Sequence, residues 1–399
     1  MKLPLDIERE LIRKLINGDK IAFSHLFSFY KSQVLYYCVH FVKDKEIAED
    51  ITQDIFLTVW EKKEDIRIEQ SFSANINPFG VPESVKQAIS AAIPTLVHYP
   101  DPQQTALTQA IATYHALQPE QIVCGNGGAD VLFRALQCLH PKRALLPVPS
   151  FLEYEIALQE IGCSVIYWQM SPNLTLTNAI LPELQTGQYD CLMLCNPNNP
   201  TGTLLKKSQL IPILDCCLQN GIRVILDECF CDMTSEAQQA SLLASCTAYP
   251  NVFFLKSLTK RFAIPGLRLG YGVCADVALI EKVRQTGQPW SVNTLAAAAG
   301  IAALQDTAYQ QQFQTFLEQE QPAFYHALQA IPTLQVWKPA ANFVFFRAAC
   351  TDLQERLLHR HILIRHCENY VGLDATYYRT AIRSHAENQI LLQALKACL

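Results

Sequence analysis

The chain has 399 residues, 50% of them hydrophobic and 17% charged, enough for one large core or two to three ordinary ones. A formal net charge of −5 gives no overall attraction to nucleic acid. The first ten residues lack the apolar stretch of a signal peptide and no apolar run is long enough to span a bilayer, so a cytoplasmic protein with no membrane contact is expected.

Residues 1–70 stand apart. They hold 11 of the 32 Lys and Arg and 13 of the 37 Asp and Glu, so charge density falls by more than half beyond residue 70. Glu10–Ile16 carries apolar residues at helical spacing and stops at Asn17-Gly18, a C-cap pair. Ile21–Phe41 is apolar and aromatic without Gly or Pro. Lys45–Lys63 repeats the helical period through Ile47, Ile51, Ile55, Phe56, Val59 and Trp60. An all-α segment of three helices over 1–70 is expected.

The rest alternates. Strand-like runs are Ile122–Cys124, Ala144–Val148, Ser164–Tyr167, Cys191–Leu194, Arg223–Leu226 and Val252–Leu255, with helical stretches such as Ala129–Leu139 and Ser208–Gln219 between most of them. That order predicts an α/β fold whose mostly parallel sheet is covered on both faces. Residues from about 295 are helix-rich with a few strands, including Phe343–Phe346. The expected division is a large domain over 71–290 and a small α/β domain over 291–399. Fifteen cysteines without a C-x-x-C pair read as free thiols in a reducing compartment, and no metal site is expected.

Residues able to do chemistry recur at element ends. Gly125-Asn126-Gly127-Gly128-Ala129-Asp130 follows a strand and opens a helix, where free N–H groups and the dipole favour an anion. Asn196-Pro197-Asn198-Asn199-Pro200-Thr201-Gly202 follows the fourth strand. Asp227 follows Val224-Ile225-Leu226, at the strand end that faces the crevice of an open sheet. Ser257-Leu258-Thr259-Lys260 leads through Pro265-Gly266 to Arg268, whose planar fork suits a phosphate. Near the C-terminus, Tyr378–Arg383 reads as the end of a strand, and Arg379 and Arg383, four apart, would share a face.

In this order the motifs resemble the site of fold-type-I pyridoxal-phosphate enzymes, the class I/II aminotransferases and their decarboxylase relatives. The resemblance implies pyridoxal 5'-phosphate as cofactor. It makes Lys260 the amine that bonds it and Asp227 the partner of its ring nitrogen, both catalytic. Ser257, Arg268, Gly128 and Ala129 would surround its phosphate, Phe151 would stack on its ring, and Asn199 would meet its ring hydroxyl. Tyr99, in Tyr99-Pro100-Asp101-Pro102, resembles a tyrosine that reaches the partner subunit's phosphate, which implies a homodimer. Arg379 would anchor a substrate carboxylate, with Arg383 and Asn77 holding a second anion.

Phe72-Ser73-Ala74-Asn75-Ile76-Asn77-Pro78-Phe79-Gly80, with the tyrosine and glycine motifs above, resembles the threonine-phosphate decarboxylase family of cobalamin biosynthesis over residues 71–399. That family converts L-threonine O-3-phosphate to (R)-1-amino-2-propanol O-phosphate and carbon dioxide. Its relative, histidinol-phosphate aminotransferase, is the alternative. Phe230, where many aminotransferases carry a tyrosine, leans toward the decarboxylase. Family members carry a His-Gly-Gly arm ahead of the Phe-Ser-Ala-Asn segment. Here helical sequence stands in its place, and impaired substrate affinity or turnover is expected.

Those helices have a resemblance of their own. Asn17-Gly18-Asp19, Phe23, Leu26-Phe27, Ala48–Phe56 and Trp60-Glu61 look like region 2 of extracytoplasmic-function sigma factors, which implies contact with RNA polymerase through residues 1–70. The promoter-opening helix of that family would follow near residue 71, where Phe72-Ser73-Ala74 suits both patterns. A polymerase-binding fragment is therefore the reading from outside enzymes.

Overall fold

The computed structural model describes residues 5–63, 70–236 and 240–399. The chain falls into two compact units, residues 1–71 with 354–363, and residues 72–353 with 364–399. The expected boundary at residue 70 adjoins 64–69, which lie outside the described residues.

The strands in chain order are β1 (Gln70–Ser71), β2 (Ile122–Gly125), β3 (Arg143–Val148), β4 (Ser164–Gln169), β5 (Cys191–Cys195), β6 (Arg223–Asp227), β7 (Val252–Ser257), β8 (Gly270–Val273), β9 (Leu334–Val336), β10 (Phe343–Ala348), β11 (Ile362–Leu363), β12 (Arg365–His366) and β13 (Tyr377–Ala381).

The first unit is helical, with α1 (Leu5–Ile16), α2 (Lys20–Val42) and α3 (Lys45–Glu61) and one short parallel pair, β1 with β11. Asp19 starts α2 by accepting from the amides of Ile21 and Ala22, and Asp44 does the same for Glu46 and Ile47 at the start of α3. The face that α3 buries differs from the expectation. Ala48, Thr52 and Phe56 are covered, while Ile47 and Ile55 are exposed. Small Ala48 and Thr52 let α2 approach closely, and Thr52 satisfies its hydroxyl on the Ala48 carbonyl at 2.7 Å.

In the second unit a seven-stranded sheet has the order β2-β8-β7-β6-β5-β3-β4. The runs read as strands lie in β2 to β7. β5, β6 and β7 are mostly apolar and almost wholly buried, as expected of central parallel strands covered on both faces. β8 is the antiparallel exception, and its glycines hid it. They serve close packing: a Cβ on Gly272 would sit 2.2 Å from the Phe253 ring. A smaller antiparallel sheet, β12-β13-β10-β9, holds the Phe343–Phe346 run in β10.

One segment ties the pieces of this unit together. The Phe72 carbonyl accepts from the Ala381 amide at 2.8 Å, and the Asn77 amide donates to the Lys260 carbonyl at 3.0 Å. Residues between these anchors cross from the small sheet to the C-terminal ends of β6 and β7.

Candidate active site

The C-terminal ends of parallel strands leave carbonyls and side chains facing an open crevice. Here that crevice is a cavity of about 470 Å³. Its wall contains Lys260, Asp227, Gly128, Ala129, Phe151, Asn199, Ser257, Arg268 and Arg379, so nine of the residues singled out from sequence meet in one place. The helical unit has a larger groove, about 650 Å³, lined by Phe23, Phe27, Phe56 and Trp60. It lacks a convergent set of reactive groups. Among the described residues, no cluster of His, Cys, Asp and Glu could hold a metal ion.

Lys260 lies in the turn after β7. Its Nζ is 3.3 Å from Ser257 Oγ and 5.8 Å from the centre of the Phe230 ring. Ser257 Oγ also meets Thr259 Oγ1 at 2.8 Å. Asp227 ends β6, buried, and accepts from the Tyr154 hydroxyl at 2.6 Å and the Cys229 amide at 2.7 Å. Two donors hold that carboxylate in one orientation. Burial first, then the Asp227 charge, pushes the Tyr154 hydroxyl and the Cys195 and Cys229 thiols up. These groups stay protonated at neutral pH, and Lys260 is the lysine that lines the cavity.

The glycine loop makes an anion cradle. Gly127 has φ +89° and caps the helix Gly128–Leu139. A Cβ on Gly127 would stand 2.6 Å from the Arg268 guanidinium, so only glycine lets that arginine lie over the helix N-terminus. A Cβ on Gly270 would stand 2.4 Å from the Gly128 amide nitrogen, which explains the glycine opening β8.

On the opposite wall, buried Arg379 donates through Nη1 to Asn199 Oδ1 and through Nη2 to the Ser73 carbonyl at 3.0 Å. Its Nε and the Oδ1 of Asn75 are buried without a partner. Both residues line the cavity. Such groups are costly unless a ligand satisfies them. Pyridoxal 5'-phosphate fits these residues: an anion cradle with Ser257 and Arg268 beside it, an aromatic ring at Phe151, a buried carboxylate and an amine.

Two residues expected in the site stand elsewhere. Asn77 is buried with both ends of its amide engaged, donating to the Arg261 carbonyl at 2.8 Å and accepting from the Phe79 amide at 3.0 Å. It braces the segment, and Asn75 takes the place on the wall. Arg383 lies past the end of β13, which stops at Ala381, so it shares no strand face with Arg379. Its Nη2 is 2.6 Å from Glu387 Oε1, within the cap of the helix His385–Cys398. Tyr99, expected at a partner subunit's phosphate and not in this cavity, is 80% exposed and stacks on Trp290 with ring centroids 4.6 Å apart.

Sequence reading also missed residues. Tyr154 lies in the first turn of the helix Glu153–Glu160, three positions after Phe151, whose carbonyl accepts from the Tyr154 amide at 3.2 Å; an aromatic so close in sequence to Phe151 was a usable signal. Arg365 and Tyr370 carried none. Arg365 reaches the wall because β12 pairs with β13 in a register that sets it opposite Arg379.

The aminotransferase class I and II family model matches residues 68–395, and the sigma-70 region 2 model matches residues 26–75. The two overlap on 68–75. The chain is 44% identical to a threonine-phosphate decarboxylase of Salmonella typhimurium over 82% of this chain and 90% of that protein. Among solved structures, the histidinol-phosphate aminotransferase of Clostridium acetobutylicum superposes with TM-score 0.78 at 32% identity, over 82% of this chain and 98% of that one. The L-threonine-O-3-phosphate decarboxylase of Porphyromonas gingivalis superposes with TM-score 0.74 at 26% identity, with the same coverages.

Proposed function

The chain belongs to the aminotransferase class I and II family, and on that footing we propose that it is a pyridoxal-phosphate-dependent carboxy-lyase acting on L-threonine O-3-phosphate. The products are (R)-1-amino-2-propanol O-phosphate and carbon dioxide. The observation that carries the reading is the pair of arginines, Arg365 and Arg379, opposed on β12 and β13 at the cavity wall. A substrate with a carboxylate at one end and a phosphate at the other needs two cations, and a guanidinium fork meets either group with two hydrogen bonds.

When bound, pyridoxal 5'-phosphate supplies an electron sink for the pair left on the substrate α-carbon as the carboxylate departs. The chain's own residues do the rest. Ser257, Arg268 and the amides of Gly128 and Ala129 would hold the phosphate of the cofactor, and Phe151 would cover its ring. Asp227, braced by Tyr154, would keep the ring nitrogen protonated. Arg379 and Arg365 fix the two anions of the substrate and so decide which α-carbon bond is aligned to break. With Cα–COO⁻ aligned the reaction is decarboxylation, and Lys260 Nζ returns a proton to the α-carbon. With Cα–H aligned it is transamination.

A second copy of the chain is the expected partner. Ile93, Leu96, Val97, Tyr99 and Trp290 are large apolar residues left exposed on the second unit. A dimer that covered them would bring Tyr99 toward the partner's cofactor phosphate. We place the protein in the cytoplasm, a compartment that suits its fifteen free cysteines. The sigma-70 region 2 match favours one further partner, RNA polymerase, through residues 1–70.

The test is carbon dioxide release from L-threonine O-3-phosphate by the purified protein with pyridoxal 5'-phosphate, with Lys260→Ala as control. Lysine-dependent release is the expected result. A protein that captures the cofactor through Lys260 yet converts the substrate only with a keto-acid acceptor would be an aminotransferase.

A further inference from the structure

Behind the cavity, on the other face of β6 and β7, lies a buried group of charges that the proposed chemistry does not use. Successive residues of a strand point to opposite faces. Asp227 and Ser257 face the cavity, and Glu228 and Lys256 therefore face away. Glu228 is 0% exposed and Lys256 is 1% exposed. The Lys256 Nζ lies 2.9 Å from Asp232 Oδ1 and 3.6 Å from Glu228 Oε2. Glu228 also accepts from Ser241 Oγ at 2.6 Å. Burial would raise the Asp232 carboxyl, but the charge of Lys256, then of Arg261, outweighs it and holds the group down at about 2.

Such a group does little for stability by itself. Taking three charges out of water costs about what their attraction returns, and apolar side chains of similar volume often do as well. What an ion pair adds is direction. Glu228 and Asp232 flank Phe230, and the turn between them is closed by the Cys231 amide on the Glu228 carbonyl at 2.9 Å and the Met233 amide on the Phe230 carbonyl at 3.0 Å. Lys256 immediately precedes Ser257. The two neighbours of the Lys260 amine, the Phe230 ring and Ser257 Oγ, thus hang from the two sides of one buried clamp.

We infer that Lys256 is a positioning residue for the active-site lysine: by binding Glu228 and Asp232 it fixes the turn between them and holds the Phe230 ring against the Lys260 amine. This rests on the reading of Lys260 as the amine that takes up the cofactor. An ammonium within about 6 Å of an aromatic centre is attracted to its face, so a ring that shifts with its turn leaves the amine free to swing away from the cavity.

The experiment follows the rate at which the cofactor-free, full-length protein captures pyridoxal 5'-phosphate, read by absorbance. Lys256→Met keeps most of the length of the side chain and removes its charge. Capture is expected to slow by about tenfold, and in a Phe230→Leu background the same substitution should change it by less than about twofold, because residues that act through one another are not additive. A general loosening of the fold would instead produce equal fold-changes in both backgrounds, and that result overturns the proposal. So does capture at the parental rate. Should Lys256→Met fail to fold, Asp232→Asn, which keeps the shape and removes one of the two anions, reads the same cycle with the same expectations. A Lys260→Ala protein that captures the cofactor as fast as its parent overturns the assignment of Lys260, and the proposal with it. Parental capture in Lys256→Met and Asp232→Asn, with none in Lys260→Ala, overturns the proposal alone.

Discussion

Exchange of His115 for glutamine probes the closure of the protein behind the active site. His115 ends the helix Thr105–His115, and its Nε2 is 2.6 Å from the Tyr271 hydroxyl. Burial first, and then the neighbouring Lys256 charge, lowers its imidazole from 6.5 to about 4. The folded protein therefore keeps His115 neutral down to about 4, while the unfolded chain takes up the proton near 6.5. Below that pH the unfolded state binds the extra proton, so stability falls with pH through the window and levels off beneath it. At about 1.4 kcal/mol per pH unit the window is worth about 3 kcal/mol, most of it lost by about pH 4.5. Glutamine cannot take the proton and can still hydrogen-bond Tyr271. Urea unfolding of the cofactor-free protein at about pH 7.5 and about pH 4.5 reads the difference. The parent should lose about 2–3 kcal/mol more than His115→Gln on acidification, the carboxylates common to both cancelling. Parallel losses would refute the reasoning and mean that water reaches His115.

Gly270→Ala forces a Cβ to 2.4 Å from the Gly128 amide nitrogen, where backbone cannot yield cheaply. Overpacking of this kind costs about 1–3 kcal/mol, and because it opens the phosphate cradle, the dissociation constant for pyridoxal 5'-phosphate should rise by about tenfold; titration by absorbance checks it. Arg365→Gln should raise KM for L-threonine O-3-phosphate at least about tenfold, the value of a charged hydrogen-bonded contact. Arg383→Gln, which breaks only a partly exposed pair with Glu387, should move KM less than about twofold and stability by less than about 1 kcal/mol. Steady-state kinetics and unfolding of both variants decide whether Arg365 or Arg383 meets the substrate.

Much of the cavity was legible because its parts are local. Lys260 and Ser257 share one turn, Asp227 ends a strand whose apolar run is unmistakable, and Gly127-Gly128 open a helix directly after another. In each, the chemistry and the backbone conformation it needs lie within a few residues. The helices of the first unit were legible for the same reason, through the helical spacing of their apolar residues and the Asn17-Gly18 stop. Which face of α3 is buried was not, since Ile47 and Ile55 look more apolar than Ala48 and Thr52. Close approach of α2 favours the small residues.

Asn75 and Asn77 show the limit most plainly. Both are asparagines of one extended segment. Whether a side chain faces the cavity or braces the backbone depends on anchors at Ala381 and Lys260, hundreds of residues away. Arg379 was read as lining the site with Arg383 as its companion, and Arg365 went unread, because where β13 stops and how β12 registers against it are set by pairing between strands. A slip of one residue would turn every side chain to the other face. The sequence by itself determined the family pattern, and it put Lys260, Asp227 and the Gly127-Gly128 loop forward as amine, acid and anion cradle. The tertiary structure alone decided which arginine faces Arg379, that Tyr154 braces Asp227, and that Lys256 is buried among carboxylates, since each depends on contacts between distant segments that no local propensity encodes.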